Sequence, residues 1–114
     1  MSYQDALKFL QKEHASAFEM DNALEAISTG SIAVDILTGI GGFPRRRISE
    51  VFGWESSGKT TLCLMACAQA QRDGLLVAYL DVERGVDLSY ATKLGYDYAD
   101  TSKGFYATPR SFEE

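Results

Sequence analysis

The sequence predicts an α/β protein in which part of a parallel β-sheet is flanked by helices and preceded by an amphipathic helix. Three observations carry this prediction. Strand-like and helix-like segments alternate through residues 47–108, as crossover connections between parallel strands require. A glycine-bounded loop joins the first of these strands to a helix. A continuous apolar run over residues 75–80 is typical of a strand that is covered on both faces.

The N-terminal part of the chain is predicted to contain two short helices. Residues 3–14 carry apolar side chains at helical spacing, so they form an amphipathic helix whose apolar face must pack on something. That face consists of Ala6, Leu7, Phe9 and Leu10. Residues 15–24 give no clear pattern. Ser31 is predicted to cap a helix over residues 32–37, and the glycines and proline of residues 39–44 end it.

The remaining elements follow in alternation. Residues 47–52 are predicted to form a strand, because β-branched and aromatic side chains lead directly into a glycine. Residues 59–72 are predicted to form a helix. The apolar or amphipathic positions that recur on it at three and four are Leu62, Met65, Ala66 and Gln69. The later elements are a strand over 75–80, a helix over 87–94 and a strand over 104–108.

The last four residues, Ser111 to Glu114, form a capping-box pattern that announces another helix. The helix itself is not in the sequence. Three parallel strands would also leave a small sheet with bare edges. We therefore expect this chain to be the first part of a longer core.

Composition and charge favour an ordinary globular domain, with 46% hydrophobic and 24% charged residues and a net charge of -5. Bulk charge gives no basis for a nucleic-acid partner, and Arg45, Arg46 and Arg47 favour a solvated turn. The sequence has neither a signal peptide nor a membrane-length apolar stretch, so we expect a cytoplasmic protein without membrane contact. Cys63 and Cys67, four apart on one helix, favour small buried hydrophobes over a metal or redox site.

Residues 53–60 match the phosphate-binding pattern GxxxxGK[ST] at every fixed position. Gly53 and Gly58 permit backbone angles that turn successive N–H groups and the helix N-terminus toward an anion. Lys59 adds a positive charge for the β- and γ-phosphates, the Thr60 hydroxyl can coordinate Mg²⁺, and Thr61 is placed for a further phosphate contact. The predicted nucleotide-contacting residues of this P-loop are Gly53, Trp54, Glu55, Ser56, Ser57, Gly58, Lys59, Thr60 and Thr61.

Hydrolysis needs a further group that orients or activates the attacking water. Glu83 is the first candidate, because it lies just past the second apolar strand and ligands bind at the carboxyl ends of parallel strands. Asp81, at the tip of the same strand, is a competing candidate. The position of the two carboxylates in the sequence leaves both open.

Several segments together resemble the bacterial RecA-type recombinases. They are Ile27-Ser28-Thr29-Gly30-Ser31, Val34-Asp35, Gly41-Gly42 with Pro44, the loop GWESSGKTT, and DVERGVDLSYATKLG. In this order and spacing they cover about residues 26–109. The resemblance implies a RecA-like P-loop NTPase core with ATP and Mg²⁺ as cofactors.

The same resemblance implies roles for single residues and for the N-terminal helix. Glu83 would activate water, Asp87 would hydrogen-bond the adenine and Tyr90 would stack on it. Residues 1–25 would form an oligomerisation segment whose helix docks on a neighbouring subunit, and residues 26–114 the first part of the ATP-binding core. The implied activity is that of a DNA-dependent ATPase that forms filaments on single-stranded DNA for recombination, DNA repair and the SOS response.

Some positions depart from the pattern of that family. Trp54 stands where proline is usual and Arg46 where glycine is usual, and Val82, Arg84 and Gly85 replace other residues beside Glu83. In the family, the Walker B strand and two DNA-holding loops follow the region matched by this sequence. We therefore expect single-stranded DNA to be held by a part beyond this sequence, and this chain alone not to be a competent recombinase.

Two other functions remain open alongside this one. A non-catalytic short paralogue could bind ATP and interact with recombinase filaments through its N-terminal helix. A small P-loop kinase for a nucleoside or metabolite is the other. Such kinases usually begin with the strand before the P-loop, whereas 46 residues precede that strand here.

Overall fold

The computed structural model describes residues 2–13 and 25–110, which form a small α/β arrangement with short sheets. The described elements are α1 (Tyr3–Glu13), β1 (Ala26–Ile27), α2 (Ile32–Leu37), β2 (Phe43–Pro44), α3 (Lys59–Arg72), β3 (Val77–Leu80), α4 (Leu88–Lys93) and β4 (Gly104–Ala107). No helix in these two ranges is long and apolar enough to cross a membrane. The capping box predicted at residues 111–114 lies outside the described residues. So does the segment 15–24, for which the sequence predicts no element.

Helix α1 confirms the predicted amphipathic helix almost to its ends. Ser2 caps it, since the Ser2 hydroxyl accepts from the Asp5 N–H at 3.2 Å and donates to Asp5 Oδ2 at 2.9 Å. The helix packs against α2 of the same chain, and Ala6 and Leu7 are buried, whereas Phe9 is exposed. Part of the predicted apolar face is therefore covered within the chain itself.

A buried carboxylate, Asp35, ties the turn after β1 to α2. Asp35 Oδ2 accepts from Ser28 Oγ at 2.6 Å. Asp35 Oδ1 accepts from Thr29 N at 2.8 Å and from Thr29 Oγ1 at 2.7 Å. Ser31 caps α2 as predicted, its hydroxyl accepting from Val34 N. These bonds satisfy the buried polar groups of the turn, as a packed interior requires.

A short antiparallel ladder between β1 and β2 was not expected from the sequence. It pairs Ala26 with Pro44 and Ile27 with Phe43. The ladder brings the two ends of the α2 segment together. Two residues in each strand are too few to show the alternation by which strands are predicted.

The core lies between α3, α4 and the sheet of β3 and β4. Its most buried members are Leu64, Ala68, Ala91 and Tyr96. The predicted bounds of α3 are confirmed, but the buried positions of this helix are Leu64, Ala68 and Ala70 rather than the predicted recurring set. Apolar residues surround most of α3, so their spacing could not identify the face that meets the core.

The parallel pairing of β3 and β4 confirms the predicted arrangement of these two strands. The register aligns Val77 with Gly104 and Leu80 with Ala107. The expectation that residues 75–80 are covered on both faces is wrong for the described residues. Along β3, Val77 and Tyr79 are partly buried, whereas Ala78 and Leu80 are exposed. Within the described part, only the face toward α3 is packed.

The strand predicted over residues 47–52 is not formed. Ile48 is fully exposed and Phe52 is 83% exposed. A strand is defined by hydrogen bonds to a neighbouring strand, and no strand within residues 2–13 and 25–110 pairs with this segment. The parallel sheet predicted with three strands therefore contains only β3 and β4 in the described residues.

Candidate functional site

The loop of residues 53–61 leads directly into the long helix α3. Gly58 precedes the helix in the left-handed region, with φ 96°, and has no side chain to cap it. In the first backbone hydrogen bond of the helix, Leu62 N donates to Gly58 O at 2.9 Å. The N–H groups of Lys59, Thr60 and Thr61 therefore have no acceptor inside the helix. They supply donors at the positive end of its dipole.

Lys59 closes this loop on itself. Its Nζ donates to Gly53 O at 2.6 Å and lies 3.4 Å from Trp54 O. A side chain at Gly53 would crowd the turn, since a Cβ there would lie 3.0 Å from Ser57 Oγ. The backbone oxygens of Gly53 and Trp54 thus hold the Lys59 ammonium group beside the start of the loop.

A cavity of about 270 Å³ opens at the start of α3. Its lining consists of Ser56, Ser57, Gly58, Lys59, Thr60 and Thr61. Hydroxyl groups, a lysine and the first N–H groups of a helix form an environment that favours a bound anion. Trp54 and Glu55 are exposed beside it. A larger cavity of about 610 Å³ lies against α1 and includes no residue of this loop.

The segment after β3 is organised around the buried side chain of Asp81. Asp81 Oδ2 accepts from the Tyr106 hydroxyl at 2.7 Å and from Val86 N at 3.1 Å. Asp81 Oδ1 accepts from Gly85 N at 3.4 Å. Burial alone would raise the pKa of Asp81, but the hydrogen bonds from Tyr106 and from the backbone of Val86, Gly85 and Arg84 outweigh it and lower that pKa.

Glu83 lies in the loop that Asp81 closes, and its side chain is exposed. The residue that follows, Arg84, adopts a left-handed conformation with φ 56°. No hydrogen bond or ion pair of Glu83 is found among the described residues. Of the two carboxylates at the end of β3, Asp81 is engaged in holding the loop and Glu83 faces solvent.

Asp87 caps α4 instead of lying inside it. Asp87 Oδ1 accepts from Ser89 N at 3.0 Å, from Ser89 Oγ at 2.7 Å and from Tyr90 N at 3.2 Å. The hydrogen bonds from the Ser89 side chain and from the backbone of Tyr90 lower the pKa of Asp87, because they favour its ionised form. Tyr90 is exposed on the first turn of the helix that Asp87 caps.

The candidate residues thus fall into two groups. One surrounds the cavity at the start of α3, and the other runs from Asp81 to Tyr90. The hydrogen bonds and cavity lining of the described residues link no member of one group to the other. Sequence reasoning missed Tyr106, whose hydroxyl reaches Asp81 from β4. The contact depends on the register of β3 and β4, which the sequence pattern does not specify.

Comparison with known proteins gives one consistent result. A model of the RecA N-terminal domain matches residues 6–104. The protein RecA of Bdellovibrio bacteriovorus is 56% identical over 77 residues, which are 68% of this chain and 20% of that protein. The protein RecA of Acholeplasma laidlawii is 51% identical over 98 residues, which are 81% of this chain and 30% of that protein.

A third relative shows a similar identity over a similar segment. The protein RecA of Thermotoga neapolitana is 58% identical over 74 residues, which are 65% of this chain and 21% of that protein. The chain therefore spans between a fifth and a third of the length of the relatives it matches. On the match to the N-terminal domain, this chain belongs to the RecA family of recombinases.

Proposed function

We propose that this chain binds Mg-ATP through residues 53–61, as the N-terminal portion of a RecA-type, DNA-dependent ATPase. The observation that carries the proposal is the cavity at the start of α3. There the Lys59 side chain, the hydroxyls of residues 56–61 and unpaired helix N–H groups converge. Such an arrangement stabilises the charge of a triphosphate through the helix dipole and through charge-assisted hydrogen bonds.

Within this loop each residue has a separate role. The N–H groups from Ser56 to Thr61 surround the phosphates, and Lys59 exchanges its bonds to Gly53 O and Trp54 O for the β- and γ-phosphate oxygens. Thr60 supplies a hydroxyl to Mg²⁺, which is a hard cation that prefers oxygen ligands. The compact loop would then belong to a P-loop NTPase core of RecA type.

The segment after β3 provides the remaining groups. Glu83 is exposed at the carboxyl end of the strand and is proposed to activate the attacking water. Asp87 uses Oδ1 to cap α4, which leaves Oδ2 for the adenine amino group. Tyr90 presents an exposed ring for stacking on the base.

The wider activity is proposed from family membership. It comprises filament formation on single-stranded DNA, homologous recombination and DNA repair in the cytoplasm. Residues 1–25 would serve self-association through α1, and residues 26–114 would form the first part of the ATP-binding core. Support for a larger core comes from the uncovered outer face of the sheet, where Leu80 and Phe105 are exposed.

A titration of Trp54 emission tests nucleotide binding. Trp54 is the single tryptophan of the chain and lies in the loop, so Mg-ATP is expected to change its fluorescence. Lys59→Ala should weaken binding by about 10- to 100-fold, because a charge-assisted hydrogen bond contributes roughly 1.5–3 kcal/mol.

Lys103→Ala is the matched control. It removes the same charge, but Lys103 precedes β4, its Nζ lies 3.5 Å from Asp97 Oδ2, and it does not line the cavity at the start of α3. The affinity of the Lys103→Ala variant for Mg-ATP should stay within about twofold of that of the unsubstituted chain. An unchanged Trp54 spectrum at millimolar Mg-ATP in the folded chain would overturn the proposal, as would equal losses in the two variants.

A further inference from the structure

We propose that Tyr106 is a positioning residue for adenine recognition, acting through Asp81 on the backbone that leads to Asp87 and Tyr90. The inference rests on the proposed ATP site and adds a residue to it. Tyr106 lies on β4 and is not a member of either group of candidate residues. Its hydroxyl reaches the carboxylate that organises the segment after β3.

The ring of Tyr106 is held on two sides, so its hydroxyl has a defined position. It stacks on Tyr79 with ring centroids 5.9 Å apart and an interplanar angle of 28°. Tyr98 meets it edge-on at 6.4 Å. Offset and edge-to-face contacts of this kind favour one orientation of a ring. The hydroxyl is therefore aimed at Asp81 by packing as well as by its hydrogen bond.

Asp81 joins three parts of the chain. Its N–H donates to Ala107 O at 2.8 Å, which fixes the end of β3 beside the end of β4. Its carboxylate accepts from Tyr106 on β4 and from the N–H groups of Gly85 and Val86 in the loop. The residue is only 6% exposed, so water replaces a lost partner poorly.

Val86 connects Asp81 to the proposed adenine-binding residues. Its side chain packs against the core cluster, and its N–H is bound by Asp81. The next residue, Asp87, caps α4 and orders Tyr90. A change at Asp81 therefore displaces Asp87 and Tyr90 relative to the core. The phosphate-contacting loop makes no hydrogen bond to this network in the described residues, so it should be unaffected.

Comparing two ligands separates these effects. Mg-ATP uses both groups of residues, whereas inorganic tripolyphosphate with Mg²⁺ uses only the loop at the start of α3. Tyr106→Phe keeps the ring and removes the hydroxyl. We expect it to weaken Mg-ATP binding by about fivefold, which is less than the full contribution of a hydrogen bond to a charged group, because Tyr106 acts on the adenine-binding residues only through Asp81. Tripolyphosphate binding should stay within about twofold, both measured by Trp54 emission.

Tyr96→Phe is the matched control. Tyr96 belongs to the same aromatic cluster, and its hydroxyl donates to Phe105 O at 3.2 Å, away from Asp81. It should leave the ratio of the two affinities unchanged. Equal losses of Mg-ATP binding in the two variants, or an equal loss of both ligands in Tyr106→Phe, would overturn the inference. A chain without substitutions that responds to neither ligand would overturn the proposed function as well.

Amide hydrogen exchange gives a second measurement that needs no nucleotide. The Gly85 and Val86 N–H groups should exchange several-fold faster in Tyr106→Phe than in Tyr96→Phe, because a weakened Asp81 contact opens the loop. The N–H of Ala68, which is buried in the middle of α3, serves as the internal reference for global opening. Unchanged protection at Gly85 and Val86 would also overturn the inference.

Discussion

Arg46 occupies a backbone conformation that side chains other than glycine rarely adopt, with φ 60°. For an ordinary residue this region costs roughly 1–2 kcal/mol. The Arg46 guanidinium lies 3.8 Å from Glu25 Oε2, but both side chains are largely exposed. Exposed ion pairs contribute little to the stability of the folded chain, so this contact does not offset the strain. The arginine therefore stands, at the cost of strain, where the resemblance to RecA-type recombinases predicts glycine.

Arg46→Gly is expected to raise the free energy of unfolding by about 0.5–1 kcal/mol, since relief of strain exceeds the entropy that glycine adds to the unfolded chain. Urea denaturation followed by circular dichroism measures the change. Arg45→Gly is the matched control, because Arg45 does not have a positive φ. It should lower stability by about 0.5–1 kcal/mol. Equal destabilisation by the two substitutions would show that Arg46 is not strained.

Single residues also show what the sequence could predict of the site. The roles of Gly58 and Lys59 depend on neighbours within the same loop, so a short pattern is enough to propose them. The division between Asp81 and Glu83 depends on burial and on a hydroxyl 25 residues away. Neither is visible in local spacing. The functional role of Glu83 stays a prediction.

At the scale of elements, local signals predicted the helices well. Caps and glycines mark the ends of α2, α3 and α4, and these ends agree with prediction to within a residue. Strands were predicted less well, because a strand needs a partner. Residues 47–52 have the composition of a strand but pair with none in the described ranges. The buried face of α3 likewise depends on which elements pack against it.

The paired strands β3 and β4 carry an aromatic cluster in which two tyrosine hydroxyls have raised pKa values. Burial raises the pKa of Tyr106 to about 12, and the bond to Asp81 adds to the effect. Burial also raises the pKa of Tyr79 to about 12, with the nearby Cys63 thiol contributing. Both phenols are held in the neutral form by the folded chain.

This cluster predicts a loss of stability at alkaline pH. A tyrosine in the unfolded chain ionises near pH 10. Because the folded pKa values are higher, the contribution to stability is fully present below about pH 10 and falls as the pH rises toward about 12. Thermal unfolding should show this decline, and Tyr106→Phe should show a smaller one. Tyrosinate absorbance provides the check, since titration of all six tyrosines near pH 10 in the folded chain would contradict it.

At the scale of the whole molecule, the described residues leave one side of the sheet uncovered. Leu80 is 60% exposed and Phe105 is 52% exposed on the outer face of β3 and β4. Ile48 and Phe52 add exposed apolar surface from the unpaired segment before the loop. Leu80 and Phe105 lie on neighbouring strands of one sheet face, and apolar surface grouped in this way usually marks a contact with another part or another molecule. The RecA relatives are three to five times longer than the segments matched here.

Two leucines test whether this face is uncovered in solution. Leu64 is 1% exposed in the core, whereas Leu80 is exposed on the outer face. Leu64→Ala is expected to cost about 2–5 kcal/mol or to prevent folding, because it leaves a cavity. Leu80→Ala should stay within about 0.5 kcal/mol of the unsubstituted chain. Urea denaturation at several protein concentrations measures both, and a concentration-dependent loss in Leu80→Ala approaching that of Leu64→Ala would mean that another copy covers this face.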